Sequence, residues 1–213
     1  PGVIARVTEL VHRERVQHNA DEVQARYART ACCWGYQKTD VLPDIVVTGK
    51  PMGNGLPISA NGARKAILDA FRARKDYFNT CAASPLQAAV GLAVLDEIER
   101  LDLVRNAADV GNWLIARLKE RVSRYEAIGD ARGYGLFIGV ELVKGKASKE
   151  PDAALALALS NRLKDMGFLL SYSGKYHNVL KIRPPLVFSR ENAEVFLAAF
   201  DECMGRCENE GNS

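Results

Sequence analysis

The stretch that decides the fold is Pro43-Asp44-Ile45-Val46-Val47-Thr48-Gly49-Lys50-Pro51-Met52-Gly53-Asn54-Gly55-Leu56-Pro57. Its apolar run predicts a short strand, and the Gly- and Pro-rich residues that follow predict a turn. Lys50 therefore lies where a strand ends. Packing of its stem among uncharged neighbours would make the free amine available for Schiff-base chemistry. From these residues alone, the alternative is a surface lysine that opens a turn.

Composition excludes several classes of protein. The 213 residues are 47% hydrophobic and 26% charged, which is typical of a globular chain that forms one large or two small domains. The net charge of +3 comes from dispersed basic residues, which do not form the basic patch of a nucleic-acid-binding protein. Neither the five cysteines nor the three histidines have the spacing of a metal site. No apolar run approaches the roughly 18 residues of a membrane span. We therefore predict a cytoplasmic protein without a metal.

The beginning of the chain carries two further expectations. Pro1 is not a methionine, and residues 3–15 directly predict an amphipathic helix, so we expect the chain to begin inside a larger protein. The residues where the next strand should lie, 16–20, read Val-Gln-His-Asn-Ala. They are more polar than a strand buried on both faces, which is normally almost entirely apolar.

Strand and helix patterns alternate along the remaining chain and predict an α/β fold. We expect three segments: residues 1–100, a second unit over 101–208, and a disordered tail over 209–213. The helix at 86–100 has apolar residues on too many sides for one stripe, so we predict that it is buried on much of its surface. The other predicted strands lie at 44–48, 58–61, within 128–142, at 169–172 and at 179–182. The other predicted helices lie at 63–73, 104–124 and 153–166, the last capped by Gly167, and after Ser189 as N-cap.

Two motifs together resemble a known family. Asp21-Glu22-Val23-Gln24, followed by Pro43–Val46 and by Thr48-Gly49-Lys50-Pro51-Met52-Gly53-Asn54-Gly55, closely resembles the pyridoxal-phosphate (PLP) site of class III aminotransferases. The resemblance covers nearly the whole chain and corresponds to the C-terminal half of a fold-type I enzyme. It implies that residues 1–100 are part of the large PLP-binding domain and that 101–208 are the small α+β domain. In that family the other half supplies the cradle for the cofactor phosphate and the aromatic residue that stacks on the ring.

The resemblance also implies roles for individual residues. Lys50 would form the Schiff base with the cofactor and later move a proton between the substrate α-carbon and the cofactor. Asp21 would face the pyridine nitrogen and keep it protonated, which makes the ring an electron sink. Val23 would pack on the ring face, and Gln24 would hydrogen-bond the ring hydroxyl. Without the resemblance, Asp21 reads as a solvated loop acid and Val23 as an ordinary core residue.

Two residues later in the chain complete the implied site. Thr80 matches the threonine that reaches the cofactor phosphate of the neighbouring subunit, which implies a homodimer with a shared active site. The alternative for Thr80 is a turn residue without a ligand. Arg183 precedes Pro184-Pro185 in a segment that borders the substrate entrance in relatives, and a guanidinium suits recognition of a carboxylate or phosphate. Arg132 is interpreted as a brace for its turn.

Three functions remain open at this point. The first is a PLP-dependent aminotransferase that uses an amino donor and a keto acid acceptor. The second is a PLP-dependent phospholyase on an amino-alcohol phosphate or phosphorylated amino acid, since Tyr172–Gly174 and His177–Pro185 resemble the phospholyase branch of this family. The third is a truncated or degenerate, non-catalytic relative, because Ala25-Arg26 and Ala82-Ala83 stand where the family has Thr-Gly and Gly-Gly.

Overall fold

The computed structural model describes residues 2–82 and 84–211. The chain divides into two compact units, one up to Val104 and one from Arg105. The assignment of these units to the large and small domains of a fold-type I enzyme stays a prediction.

In residues 2–82 and 84–104, the first unit is a three-stranded sheet with three helices. Its sheet has the order β1-β2-β3, in which β1 runs parallel to β2 and β3 runs antiparallel to it. The elements are α1 (Gly2–Arg13), β1 (Asn19–Asp21), β2 (Ile45–Thr48), β3 (Ala60–Ala63), α2 (Lys65–Arg72) and α3 (Pro85–Arg100), with 3-10 turns at Gly35–Lys38 and Lys50–Gly53.

Strand β1 is a short edge strand of this sheet, and polar residues surround it. Only Ala20 of its three residues is buried. His18 lies just before the strand, where its Nδ1 is 3.0 Å from Thr8 Oγ1 and its backbone N–H donates to Asp44 Oδ2 at 2.8 Å. The polar residues 17–19 therefore do not lie in a buried strand: Gln17 and Asn19 are exposed, and the half-buried His18 has hydrogen-bond partners.

The prediction that the helix at 86–100 is largely buried is wrong. No residue of α3 is buried, and the side chains of Leu86 and Leu92 are 68% and 61% exposed. Within the first unit the helix packs on the Lys50–Gly53 turn, where Gly91 lies against Ile58 and the Met52 carbonyl. One narrow contact cannot cover apolar residues that surround a helix, so most of this surface is left open.

As far as residue 211, the second unit packs three helices on one face of a four-stranded antiparallel sheet of order β4-β5-β7-β6. Alternate strand residues such as Ile138, Val140 and Leu180 enter a core that also contains Leu114 and Phe200. The segment predicted as a turn and a strand within 128–142 forms two strands. The elements are α4 (Leu103–Arg124), β4 (Ile128–Tyr134), β5 (Phe137–Leu142), α5 (Ala153–Asp165), β6 (Ser171–Ser173), β7 (Val179–Ile182) and α6 (Arg190–Gly211).

The ends of α5 and α6 agree with the capping predictions. Gly167 follows α5 with a φ of +90°, which glycine adopts without strain. Ser189 Oγ accepts the Asn192 N–H at 3.2 Å, and Asn192 Oδ1 accepts the Ser189 N–H at 3.1 Å, so an asparagine completes the capping box. Helix α6 continues to Gly211 and includes residues 209–211 of the predicted disordered tail; residues 212 and 213 lie outside the described residues.

Candidate functional site

Asp21 and Lys50 lie at the same edge of the parallel strand pair. Asp21 ends β1 and is in register with Val47 of β2, and Lys50 comes three residues after Val47. The Glu22 N–H donates to the Val47 carbonyl at 2.8 Å and continues the pairing past the strand. The carboxyl ends of parallel strands are where open α/β sheets bind ligands. Asp21 and Lys50, the predicted partners of the cofactor ring nitrogen and aldehyde, therefore share this edge.

The carboxylate of Asp21 is exposed and oriented by its own turn. Its Oδ1 accepts the Val23 N–H at 2.9 Å. The second oxygen, Oδ2, makes no hydrogen bond with any residue in the described ranges 2–82 and 84–211. Asp21 therefore presents one carboxylate oxygen that can accept a hydrogen bond from a ligand.

Lys50 opens the 3-10 turn with a φ of 36°, and its side chain is exposed. The expected packing of its stem is therefore not provided by the described part of the chain. Two contacts hold the residues of this turn and those after it. Gly53, at the end of the turn, is buried, and Gln87 Nε2 of α3 donates to the Pro57 carbonyl at 2.9 Å. A firmly held turn thus carries an accessible amine.

Thr48, two residues before Lys50, carries an unusual hydroxyl. The residue is only 2% exposed, and its Oγ1 has no hydrogen-bond partner among the described residues. Buried hydroxyls are normally satisfied. Thr48 therefore leaves a buried polar group without a partner at the end of β2.

The residues after Asp21 leave the strand at once. Val23 is half-buried, Gln24 is exposed, and both belong to the turns that follow β1 rather than to alternating strand positions. The loop is held instead by Glu22, which the sequence reasoning left without a role: its buried carboxylate accepts the N–H groups of Gly35 and Tyr36. These bonds anchor the loop at Gly35 and Tyr36.

Thr80 and Arg183 belong to segments outside β1, β2 and the Lys50–Gly53 turn. Thr80 is exposed in the loop before α3, with its Oγ1 4.0 Å from Cys81 Sγ; Ala83, one of the alanines at a family glycine position, lies outside the described residues. Arg183 follows β7 in the second unit and lines a cavity of about 590 Å³ with Lys181 and Phe196. Of the predicted site residues, Asp21 and Lys50 are the pair that β1 and β2 carry to one edge, and Val23 and Gln24 follow Asp21 in the next turn.

Arg132 has the bracing role that the sequence indicated. Its Nη1 donates to Asp130 Oδ2 at 2.7 Å and to Glu141 Oε2 at 2.6 Å, which ties β4 to β5. The hydrogen bonds to these two carboxylates raise the pKa of Arg132.

Across residues 2–82 and 84–211, no group of three or more His, Cys, Asp and Glu side chains is arranged to hold a metal ion. None of the helices described there is long and apolar enough to cross a membrane.

The chemistry at the β1–β2 edge fits the aldehyde and ring of PLP. The accessible amine of Lys50 matches an aldehyde, and the open oxygen of Asp21 matches a protonated ring nitrogen. Thr80 is the predicted contact for the phosphate.

Comparison with known proteins gives a consistent result. The sequence profile of the family described as aminotransferase class-III matches residues 1–204. The chain is 37% identical over 206 residues to an Arabidopsis thaliana protein named alanine–glyoxylate aminotransferase 2 homolog 2, mitochondrial; the match covers 97% of this chain and 43% of that protein.

Solved structures show the same likeness. A phospholyase from Arthrobacter in complex with phosphoethanolamine matches with a TM-score of 0.93 and 38% identity, over 96% of this chain and 49% of that one. An amine transaminase from an uncultivated Pseudomonas species, in the PLP-bound form, matches with a TM-score of 0.86 and 30% identity, over 95% of this chain and 47% of that one. The chain thus spans less than half the length of each of these three proteins.

Proposed function

This chain belongs to the class III aminotransferase family, and from that premise we propose that it carries the reactive lysine of a PLP-dependent aminotransferase. The observation that carries the proposal is the placement of Asp21 and Lys50 at one edge of the β1–β2 pair. Because the chain covers less than half of its compared relatives, the activity, the amino donor, the keto acid acceptor and the homodimer are all parts of the proposal.

Each proposed residue has one task. Bound PLP supplies an electron sink for the electrons of the substrate C–H bond that is broken. Asp21 Oδ2 accepts a hydrogen bond from the ring nitrogen and keeps the proton there. Lys50 Nζ would hold the cofactor covalently until the substrate amine takes its place, and the freed amine would then move the proton from the substrate α-carbon to the cofactor. Each of these two groups acts at one named atom.

The other predicted residues bind and orient. Val23 packs on the ring face and Gln24 hydrogen-bonds the ring hydroxyl. Thr80 contacts the cofactor phosphate of the neighbouring subunit, and Arg183 binds the anionic group of the substrate. Orientation matters because the reaction needs the substrate α-carbon within reach of Lys50.

Covalent labelling tests the role of Lys50. The chain is titrated with PLP, the adduct is reduced with borohydride, and the modified peptide is identified by mass spectrometry. We expect saturable labelling at Lys50 that disappears in Lys50→Ala and persists in Lys65→Ala, the control at another exposed lysine of the first unit. Weak labelling spread over many lysines would contradict the proposal and support the non-catalytic alternative.

A phospholyase is the second candidate, favoured by the similarity to the Arthrobacter phospholyase. In this reaction Lys50 again takes the proton from the carbon that bears the amine, but phosphate then leaves from the neighbouring carbon. Incubation with phosphoethanolamine separates the candidates. Released inorganic phosphate identifies the phospholyase, and transfer of the amino group to a keto acid without phosphate release identifies the aminotransferase. A cytoplasmic location stays a prediction.

A further inference from the structure

We propose that Glu22 is a positioning residue that holds the Asp21 carboxylate in its ligand-accepting orientation. The inference rests on the proposed function only for the role that Asp21 then plays toward the ring nitrogen. Glu22 is 3% exposed and lies directly between Asp21 and Val23. Of residues 21–24, only Glu22 is buried.

The Glu22 carboxylate is bound at both oxygens. Oε2 accepts the Gly35 N–H at 2.7 Å, and Oε1 accepts the Tyr36 N–H at 2.6 Å. Both donors belong to the first turn of the Gly35–Lys38 3-10 helix, whose N–H groups have no partner inside that helix. A buried carboxylate is costly unless it is hydrogen-bonded in this way. Glu22 therefore fastens a loop 13 and 14 residues away to the end of β1.

The loop does not keep its shape through local preference. Tyr27, Ala28 and Ala31 have φ values of 57°, 65° and 59°, a region that side-chain-bearing residues adopt at a cost. Gly35 approaches Glu22 so closely that a Cβ there would lie 3.1 Å from Oε2 and 2.5 Å from the Cβ of Ala25. A strained loop that is closely packed on one carboxylate depends on that carboxylate for its geometry.

The same residue determines the direction of the Val23 N–H. The Glu22 backbone N–H donates to Val47 of β2, its carbonyl accepts the Arg26 N–H at 3.3 Å, and its side chain is bonded to the loop, so the peptide units on both sides are held. One of these units carries the Val23 N–H that binds Asp21 Oδ1 at 2.9 Å. With Oδ1 occupied, Oδ2 is the oxygen left for a ligand.

The first test needs no cofactor. Amide hydrogen exchange at Val23 is measured by NMR in the wild type and in Glu22→Gln, whose amide group can accept only one of the two N–H donors. Loss of one charge-assisted bond should speed Val23 exchange about tenfold. Thr30→Val is the matched control, because it removes the bond from Thr30 Oγ1 to the Ala25 carbonyl in the same loop. We expect it to leave Val23 exchange unchanged.

Glu22→Asp is the second variant if Glu22→Gln does not fold. Its carboxylate keeps the charge, but it is one methylene too short to reach both N–H groups, so Val23 exchange should again accelerate. Unchanged exchange in either folded variant overturns the proposal. Equal acceleration in Thr30→Val also overturns it, because general loosening of the loop would then explain the effect.

The second test connects Glu22 to the ring nitrogen. Affinity is measured for PLP and for its 1-deaza analogue, which carries a carbon in place of that nitrogen. The ratio of the affinity for PLP to the affinity for the 1-deaza analogue should fall severalfold in Glu22→Gln. In a protein that already carries Asp21→Asn, adding Glu22→Gln should not lower this ratio further. An equal fall in both backgrounds overturns the coupling through Asp21.

The two tests keep the inference and the proposed function separate. A wild type that binds both ligands equally overturns the cofactor role of Asp21, whatever Val23 exchange shows. Accelerated Val23 exchange in the same protein still supports Glu22 as the residue that orients the carboxylate. If Lys50 is not labelled, the result contradicts neither the role of Asp21 toward the ring nitrogen nor the role of Glu22 in orienting Asp21.

Discussion

His12 Nε2 and Asp44 Oδ2 lie 2.7 Å apart and join α1 to the residue before β2. The same carboxylate oxygen accepts the His18 N–H at 2.8 Å, and Asp44 Oδ1 lies 3.2 Å from Arg64 Nε. The Asp44 side chain is only 10% exposed. Asp44 thus connects four segments of the first unit: α1, the residue before β1, the start of β2 and the residue after β3.

Asp44 should make the stability of the first unit sensitive to acid. The His18 N–H above all, and the hydrogen bond and charge of His12, lower its pKa from the ordinary 3.8, while burial opposes them. A lowered folded-state pKa means that the stabilisation is complete above the unfolded value and is lost as pH falls through the folded value. The free energy of unfolding should therefore decrease below about pH 4.

The variant Asp44→Asn tests this dependence. It should cost about 1–3 kcal/mol at neutral pH and should flatten the pH dependence below about pH 4. Urea unfolding between pH 2 and pH 7 gives both quantities. Asp76→Asn, at an exposed carboxyl of the same unit, should keep the wild-type slope. Identical slopes for the wild type and Asp44→Asn would contradict the prediction.

Two helical glycines of the second unit should respond in opposite ways to alanine. A Cβ on Gly111 of α4 would collide with the backbone of Gly135, whereas a Cβ on Gly205 of α6 would meet nothing within 4 Å. Gly111→Ala should destabilise the unit by about 1–3 kcal/mol through overpacking. Gly205→Ala should stabilise it by about 0.5–1 kcal/mol, because alanine loses less backbone entropy. Thermal unfolding measures both; destabilisation by both would refute the contrast.

The left-handed residues after β1 predict a stabilising change to glycine. Ala31 has a φ of 59°, which costs an alanine about 1–2 kcal/mol. Relief of this strain outweighs the added freedom of the unfolded chain, so Ala31→Gly should stabilise the loop by about 1 kcal/mol. Ala25→Gly is the control, since Ala25 is in the same loop without a positive φ. Ala25→Gly should leave the stability of the loop unchanged or lower it. Hydrogen exchange of the loop amides measures both variants.

Removing the charge of Asp21 should weaken cofactor binding and leave the fold intact. In Asp21→Asn the side-chain oxygen can still accept the Val23 N–H, but the ring nitrogen loses a charged partner. Affinity for PLP should fall about tenfold, the effect of one charge-assisted hydrogen bond. Absorbance titration measures the affinity, and circular dichroism checks the fold. Unchanged affinity would remove Asp21 from the proposed site.

Local patterns determined much of this protein. The apolar run before Lys50 became β2, the Gly- and Pro-rich residues became its closing turn, and Ser189 with Asn192 capped α6. These features depend on neighbours a few residues away, which a sequence displays directly. The motifs around Asp21 and Lys50 likewise sufficed for the family, because their chemistry requires particular residue types at each position.

Long-range contacts decided the rest. Glu22 and Asp44 look like ordinary acids in the sequence, and only folding brings Gly35 to the first and His12 to the second. The exposure of Lys50 and of Leu86 on α3 was likewise invisible, since burial depends on what the rest of the chain places against a side chain. Periodicity reports which faces are apolar. It does not report whether another part of the chain covers those faces. For this reason the sequence predicted a packed Lys50 stem, whereas Lys50 is exposed in the structure.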